Sequence, residues 1–217
     1  MLITPWFSFL HLAKTGGSFV KQVLVAQYGD QVTAGFHDPW DRLPERDLPV
    51  LMFVRNPWDW YVSWYHYLQD QYPRQPPEVR SADLVYRSVL GSGRHDFATA
   101  VRLACDGEVE VPMPAFQDLI ARHRDFYTAA FRYMTGEGLE DPRLTIGRME
   151  RLRQDLVAFV ERTDAPERES LVRAIRETPP HNESVRGDYR GYYDARLRSH
   201  VGRASHWIRE RYGYTFD

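Results

Sequence analysis

The sequence predicts an α/β fold, three layers around a central parallel sheet, and three observations carry that prediction. Val50–Val54 reads VLMFV, the continuous apolar run of a strand buried on both faces. Phe7–Leu12 is also apolar, and it passes through Lys14-Thr15-Gly16-Gly17 into a segment where Phe19, Val20, Val23, Leu24 and Tyr28 recur near helical spacing. Pro57, three residues after the VLMFV run, suits a first helical position, so each apolar run is followed by a helix.

Taken in order, Phe7–Leu12 is a strand with Pro5 ahead of it, Ser18–Tyr28 a helix ended by Gly29, and Val32–Phe36 a second strand. Pro39–Pro49 is polar loop. Val50–Val54 is the central strand, and a helix runs from Pro57 to about Tyr72. The breaker cluster YPRQPP at 72–77 opens an insertion. Ala82–Arg102 and Ala115–Met134 read as helices, parted by Asp106–Pro114. Leu144–Ile146 is a last short strand. Glu150–Arg162 and Glu167–Glu177 are helices, Thr178–Gly191 a polar loop, and Asp194–Tyr212 the terminal helix. The expected organisation is one domain over 1–217, with 68–143 as a helical insertion covering the acceptor side.

Composition narrows the function. A formal charge of −2 lacks the basic excess of a nucleic-acid binder. The single cysteine, Cys105, excludes an internal disulfide and a cysteine-based metal site. No apolar run reaches the length of a membrane span and no signal-like segment opens the chain, so a cytoplasmic protein without a membrane partner is expected.

The strand, Gly loop and helix start at 7–19 make an anion site, because unpaired N–H groups and the positive end of a helix dipole meet there. Of 28 basic residues only Lys14 and Lys21 are lysines, so a point charge in this loop stands out in a chain that otherwise uses arginine. The order is not that of a nucleotide-triphosphatase P-loop, whose lysine follows its glycines; here Lys14 precedes Gly16 and Gly17. Arg55 sits at the carboxyl end of the central strand, where open α/β sheets bind ligands, and Ser63 lies near the second turn of the next helix. An arginine and a hydroxyl so placed can converge on one phosphate.

These two segments together resemble the sulfotransferase superfamily that uses 3′-phosphoadenosine 5′-phosphosulfate, in particular small soluble relatives of the carbohydrate-type, Golgi-like enzymes. His11-Leu12-Ala13-Lys14-Thr15-Gly16-Gly17-Ser18 is similar to the family's 5′-phosphosulfate loop, HxPKTGGT, with Ala13 for the usual proline. Val54-Arg55-Asn56-Pro57-Trp58-Asp59 with Ser63 is similar to the 3′-phosphate motif, VRNPxDRxxSxY, with Trp60 for the second arginine. Residues 146–155, Ile146-Gly147-Arg148-Met149-Glu150-Arg151-Leu152 and then Asp155, are similar to a late strand-and-helix segment, GRxExLxxD. The C-terminal loop from His181 to Tyr193 resembles the loop that closes over the donor's 3′-phosphate.

The resemblance implies a P-loop-NTPase-like sulfotransferase fold. It also implies transfer of a sulfuryl group from that donor to a hydroxyl, or less readily an amine, of a small molecule or sugar, leaving adenosine 3′,5′-bisphosphate. It assigns the donor to Lys14, Thr15, Gly16, Gly17, Ser18, Arg55 and Ser63, with Arg186 and Arg190 from the C-terminal loop. Phe19 stands where cytosolic members carry an adenine-stacking tryptophan, and reads equally as a helix core residue. Lys14 would stabilise charge developing on the bridging oxygen. The acceptor must lose a proton, and His37 in GFHDPW is the first choice of base, with Asp38 behind it and His11 reserved for packing or orienting the loop. No metal is expected. Two other readings stay open: a nucleotide or small-molecule kinase on a related sheet, and a non-catalytic nucleotide-binding protein of the same fold.

Overall fold

Pro5 and Trp6 turn the chain back almost at once. Thr4 fixes the turn: its N–H and its hydroxyl both donate to Phe7 O, at 3.0 and 2.8 Å, and its Oγ1 accepts from Phe7 N. The turn joins β1 (Leu2–Ile3) to β2 (Ser8–Leu10) as an antiparallel pair. The computed structural model describes residues 1–35, 37–44, 47–76, 78, 83–179 and 187–217. Within them the chain forms two compact units, Met1–Arg55 with Met134–Glu183, and Asn56–Tyr133 with Ser184–Asp217.

The first unit holds the sheet. After α1 (Gly17–Tyr28) come β3 (Thr33–Ala34), β4 (Val50–Val54) and β5 (Leu144–Arg148), and the strand order is β3-β1-β2-β4-β5. The centre is parallel, with Phe9 opposite Leu51 and Leu51 opposite Thr145. The sheet as a whole is mixed, because β1 runs antiparallel to both β2 and β3. The parallel centre is as expected, and the antiparallel β1 is the departure from a wholly parallel sheet. A two-residue strand held by a turn leaves no periodicity to read, so β1 was invisible, and Val32–Phe36 shrinks to two residues paired with it (Phe36 lies outside the described residues). Since β3 is antiparallel to β1 and β1 to β2, β3 runs in the direction of β2. The carboxyl ends of β2, β3, β4 and β5 therefore share one edge.

Alternation decides the core. Phe7, Phe9, Leu51 and Phe53 project from one side of β2 and β4 into a cluster with Phe19, Val20, Val23 and Leu24 of α1. Leu156, Phe159 and Val160 of α7 (Leu152–Val160) and Leu171 and Ile175 of α8 (Arg168–Glu177) complete that cluster. Leu10, Val50, Met52 and Val54, on the opposite side, are buried too, as the unbroken VLMFV run requires. β5 runs two residues past Ile146 because Gly147 fits against Phe53; a Cβ there would lie 2.5 Å from that ring.

The second unit is helical: α2 (Pro57–Gln71), α3 (Leu84–Leu90), α4 (Phe97–Cys105), α5 (Pro114–His123), most of α6 (Phe126–Thr135), α9 (Ala195–Ala204) and α10 (His206–Tyr212). Three segments read as single helices are each two. Gly91 at φ 51° ends α3, Arg124 at φ 51° ends α5, and Ser205 parts α9 from α10. Asp125 explains the last two breaks together. Fully buried, it accepts from Thr128 N to cap α6, from Tyr61 Oη at 2.5 Å and from Ser205 Oγ at 3.0 Å. Burial pushes its pKa up, and the hydroxyl donors pull against that shift. Trp60 stacks on Tyr127 at 4.4 Å and Trp64 on Phe126 at 4.8 Å, so the aromatic richness of this region is helix core. Among the described residues, no helix is long and apolar enough to cross a membrane.

Candidate functional site

The carboxyl edge of the sheet is built from three chain crossings. β2 ends at Leu10 and leads into the loop His11–Gly16. Thr15 is fully buried and its hydroxyl donates to Leu12 O at 2.8 Å, so it staples the loop and its proton is spent internally. Ser18 is exposed on the first turn of α1.

Two backbone positions in the loop are left-handed. Gly16 has φ 87°, which glycine adopts freely. Lys14 has φ 64°, where a side chain costs about 1–2 kcal/mol. Such strain persists only when its surroundings hold it, and it concentrates at working sites. Here the holder is Arg55, at the end of β4: its Nη1 donates to Lys14 O at 2.9 Å, and it is 8% exposed. The two sequence motifs therefore meet through a hydrogen bond. α1 begins with Gly16 as its cap, with no side-chain cap and no acidic residue in its first turn. Gly16 O accepts from Phe19 N at 3.0 Å and from Val20 N at 3.2 Å, which leaves the amides of Gly17 and Ser18 at the positive end of the helix dipole, next in the chain to Lys14.

The third crossing brings His37 to the same edge. Its Nδ1 lies 2.6 Å from His11 O. A carbonyl only accepts, so Nδ1 carries the hydrogen and the basic lone pair of neutral His37 is on Nε2. Burial lowers its pKa, against the raising effect of the His11 bond. His11 is the residue between the loop and His37. Its ring lies 4.6 Å from that of His37 and packs against Gly17, where a Cβ would sit 1.9 Å from His11 Cδ2. Burial first, then the nearby positive charge of His37, the terminal amine, Lys14 and Lys21, hold the His11 imidazole down at about 3. Asp38, the fallback base, stands 3.7 Å from the amino group of Met1.

The remaining expected residues fall elsewhere. Phe19 is 6% exposed in the core cluster with Arg153 over its ring, so the core reading describes it. Ser63 is buried on the second turn of α2, in the second unit. Arg190, in the same unit, is exposed, bonds Asp188 at 3.0 Å and lies over Tyr189. Arg186 and the stretch His181–Val185 lie outside the described residues. The segment 146–155 plays a local part, since Asp155 accepts from Arg148 N at 2.7 Å and pairs with Arg151. Among the described residues, no three His, Cys, Asp or Glu side chains are grouped to hold a metal ion. No protein-family model, curated protein or solved structure matches the chain.

Proposed function

We propose that the chain is a sulfotransferase that takes 3′-phosphoadenosine 5′-phosphosulfate as donor and a hydroxyl of a sugar or small molecule as acceptor. The observation that carries the reading is the Arg55–Lys14 bond, which places a buried cation directly behind the strained lysine of an anion loop. The donor's phosphosulfate would lie on the amides of Gly17 and Ser18, with Lys14 beside the oxygen that bridges sulfur and the 5′-phosphate. His37 Nε2 takes the acceptor's proton, the acceptor oxygen bonds to sulfur, and the bond from sulfur to the bridging oxygen breaks. Lys14 then meets negative charge that develops only as that bond breaks, which makes it a contributor to rate and not only to binding. The Nδ1–H bond to His11 O fixes the tautomer that puts the basic lone pair of His37 on Nε2. Ser63 and Arg190 belong to the resemblance; the reading stands on the first unit alone.

A kinase is the competing reading, and the position of Lys14 ahead of its glycines speaks against it. Calorimetry separates them. Adenosine 3′,5′-bisphosphate should bind in the presence of a chelator, and more tightly than ATP with Mg²⁺. The reverse preference would move the assignment to phosphoryl transfer.

A further inference from the structure

Phe19 cannot offer its ring to a ligand, but the residue lying on it can. Arg153, in the first turn of α7, sets its guanidinium over the Phe19 ring with Cζ 4.5 Å from the centroid. Its N–H groups are engaged at the edge: Nη1 donates to Ile175 O and to Arg176 O, and Nη2 to Thr178 O at 2.5 Å. Those carbonyls end α8. Hydrogen bonds use the rim of a guanidinium and leave its two flat faces. Phe19 covers one side of the guanidinium, with Cζ over its ring, the other side is turned away from that ring, and Arg153 remains part-exposed.

Its place in the fold is next to the anion loop. Leu152, the preceding residue, packs against Gly16 so closely that a Cβ there would lie 2.0 Å from Leu152 Cδ1 and 2.8 Å from Met149 Sδ. A planar group attached to an anion on that loop has Arg153 within reach.

We propose that Arg153 is the nucleobase platform of this site: a purine nucleotide whose phosphate lies on the loop stacks its base on the outer face of Arg153. The inference rests on the donor reading above and adds the residue that would recognise the base. Guanidinium planes stack on aromatic faces, and this one is already held by three carbonyls and a phenyl ring, so little side-chain freedom is lost when a base arrives. A stack is indifferent to the substituents of the ring. Arg153 therefore sets the preference for a nucleotide over a bare phosphate ester, and not adenine over guanine.

The test is calorimetry on the full chain with two probes, adenosine 3′,5′-bisphosphate and the base-free 3,5-bisphosphate of methyl ribofuranoside. Arg153→Ala should weaken the first by about fivefold to thirtyfold and leave the second within about twofold. Arg153→Lys keeps the charge and a carbonyl contact but has no flat face, so it should show the same selective loss; it also decides the matter if the alanine variant fails to fold. Equal losses on both probes would mean that Arg153 only supports α8 and the loop, and unchanged affinity for both would remove it from the site. Full affinity in Arg153→Lys would assign the effect to charge. A parent protein that binds neither probe overturns the donor reading itself, an outcome distinct from all of these.

Discussion

Acidification should weaken the fold through His11 before it affects most other groups. The unfolded chain protonates this imidazole near its ordinary 6.5, whereas the folded protein resists until about 3, chiefly because the ring is buried. Between those values the unfolded state binds more protons, so stability is complete above 6.5 and is lost as pH falls through the window. At about pH 5 the deficit is roughly 1.5 pH units of proton binding, or ~2 kcal/mol, and it changes little if the folded value lies a unit higher. The assay is urea unfolding at about pH 8 and about pH 5, for the parent and for His11→Gln, which keeps a polar side chain that cannot titrate. His37 shifts in the same direction but is present in both chains, so its contribution largely cancels in the difference. The parent should lose ~2 kcal/mol more than the variant on acidification. Equal pH slopes would show that the imidazole is not held neutral against Gly17 and His37, and the described packing of the loop would be wrong.

Other expectations follow from the same edge of the sheet. Lys14→Ala should keep the fold by circular dichroism and lower sulfuryl transfer by ~10²–10³; near-parental turnover would remove Lys14 from the chemistry. Arg55→Ala should weaken adenosine 3′,5′-bisphosphate by about tenfold to a hundredfold, and an analogue without the 3′-phosphate much less, so equal losses would mean that Arg55 serves only to hold Lys14 O. His37→Ala should cost ~10²–10⁴ in turnover with donor affinity intact. Because the pKa of His37 is lowered, parental turnover should stay level above neutral pH and decline only on acidification, and a rise that continues above about pH 8 would point to a different base.

The chain order of Lys14 before Gly16-Gly17, the VLMFV strand and the placing of Arg55 at its end were all legible in the sequence, because each is a local pattern. Apolar continuity dictates a doubly buried strand, and a proline after Asn56 dictates where α2 begins: Asn56 accepts from Trp58 N, and Val50–Val54 and Pro57 stand where the pattern puts them. His37 was legible in a weaker sense. Its position after a strand suggested the edge it occupies, but the strand is two residues long and pairs with β1, which no pattern announced.

What tertiary structure alone decided is contact between residues far apart in the chain. Three helices became six because a buried carboxylate, Asp125, needed donors from Tyr61 and Ser205, and because Gly91 and Arg124 turned left-handed; propensity over a window averages such single residues away. Thr15 turned inward to Leu12 O, although its hydroxyl reads in sequence like any other loop donor. The bond from Arg55 to Lys14 spans 41 residues, that from His37 to His11 spans 26, and Arg153 reaches Phe19 from another strand-helix segment. A sequence fixes which groups are available for such bonds. Only the folded backbone fixes which of them come within 3 Å of each other, and the candidate site is made of those approaches.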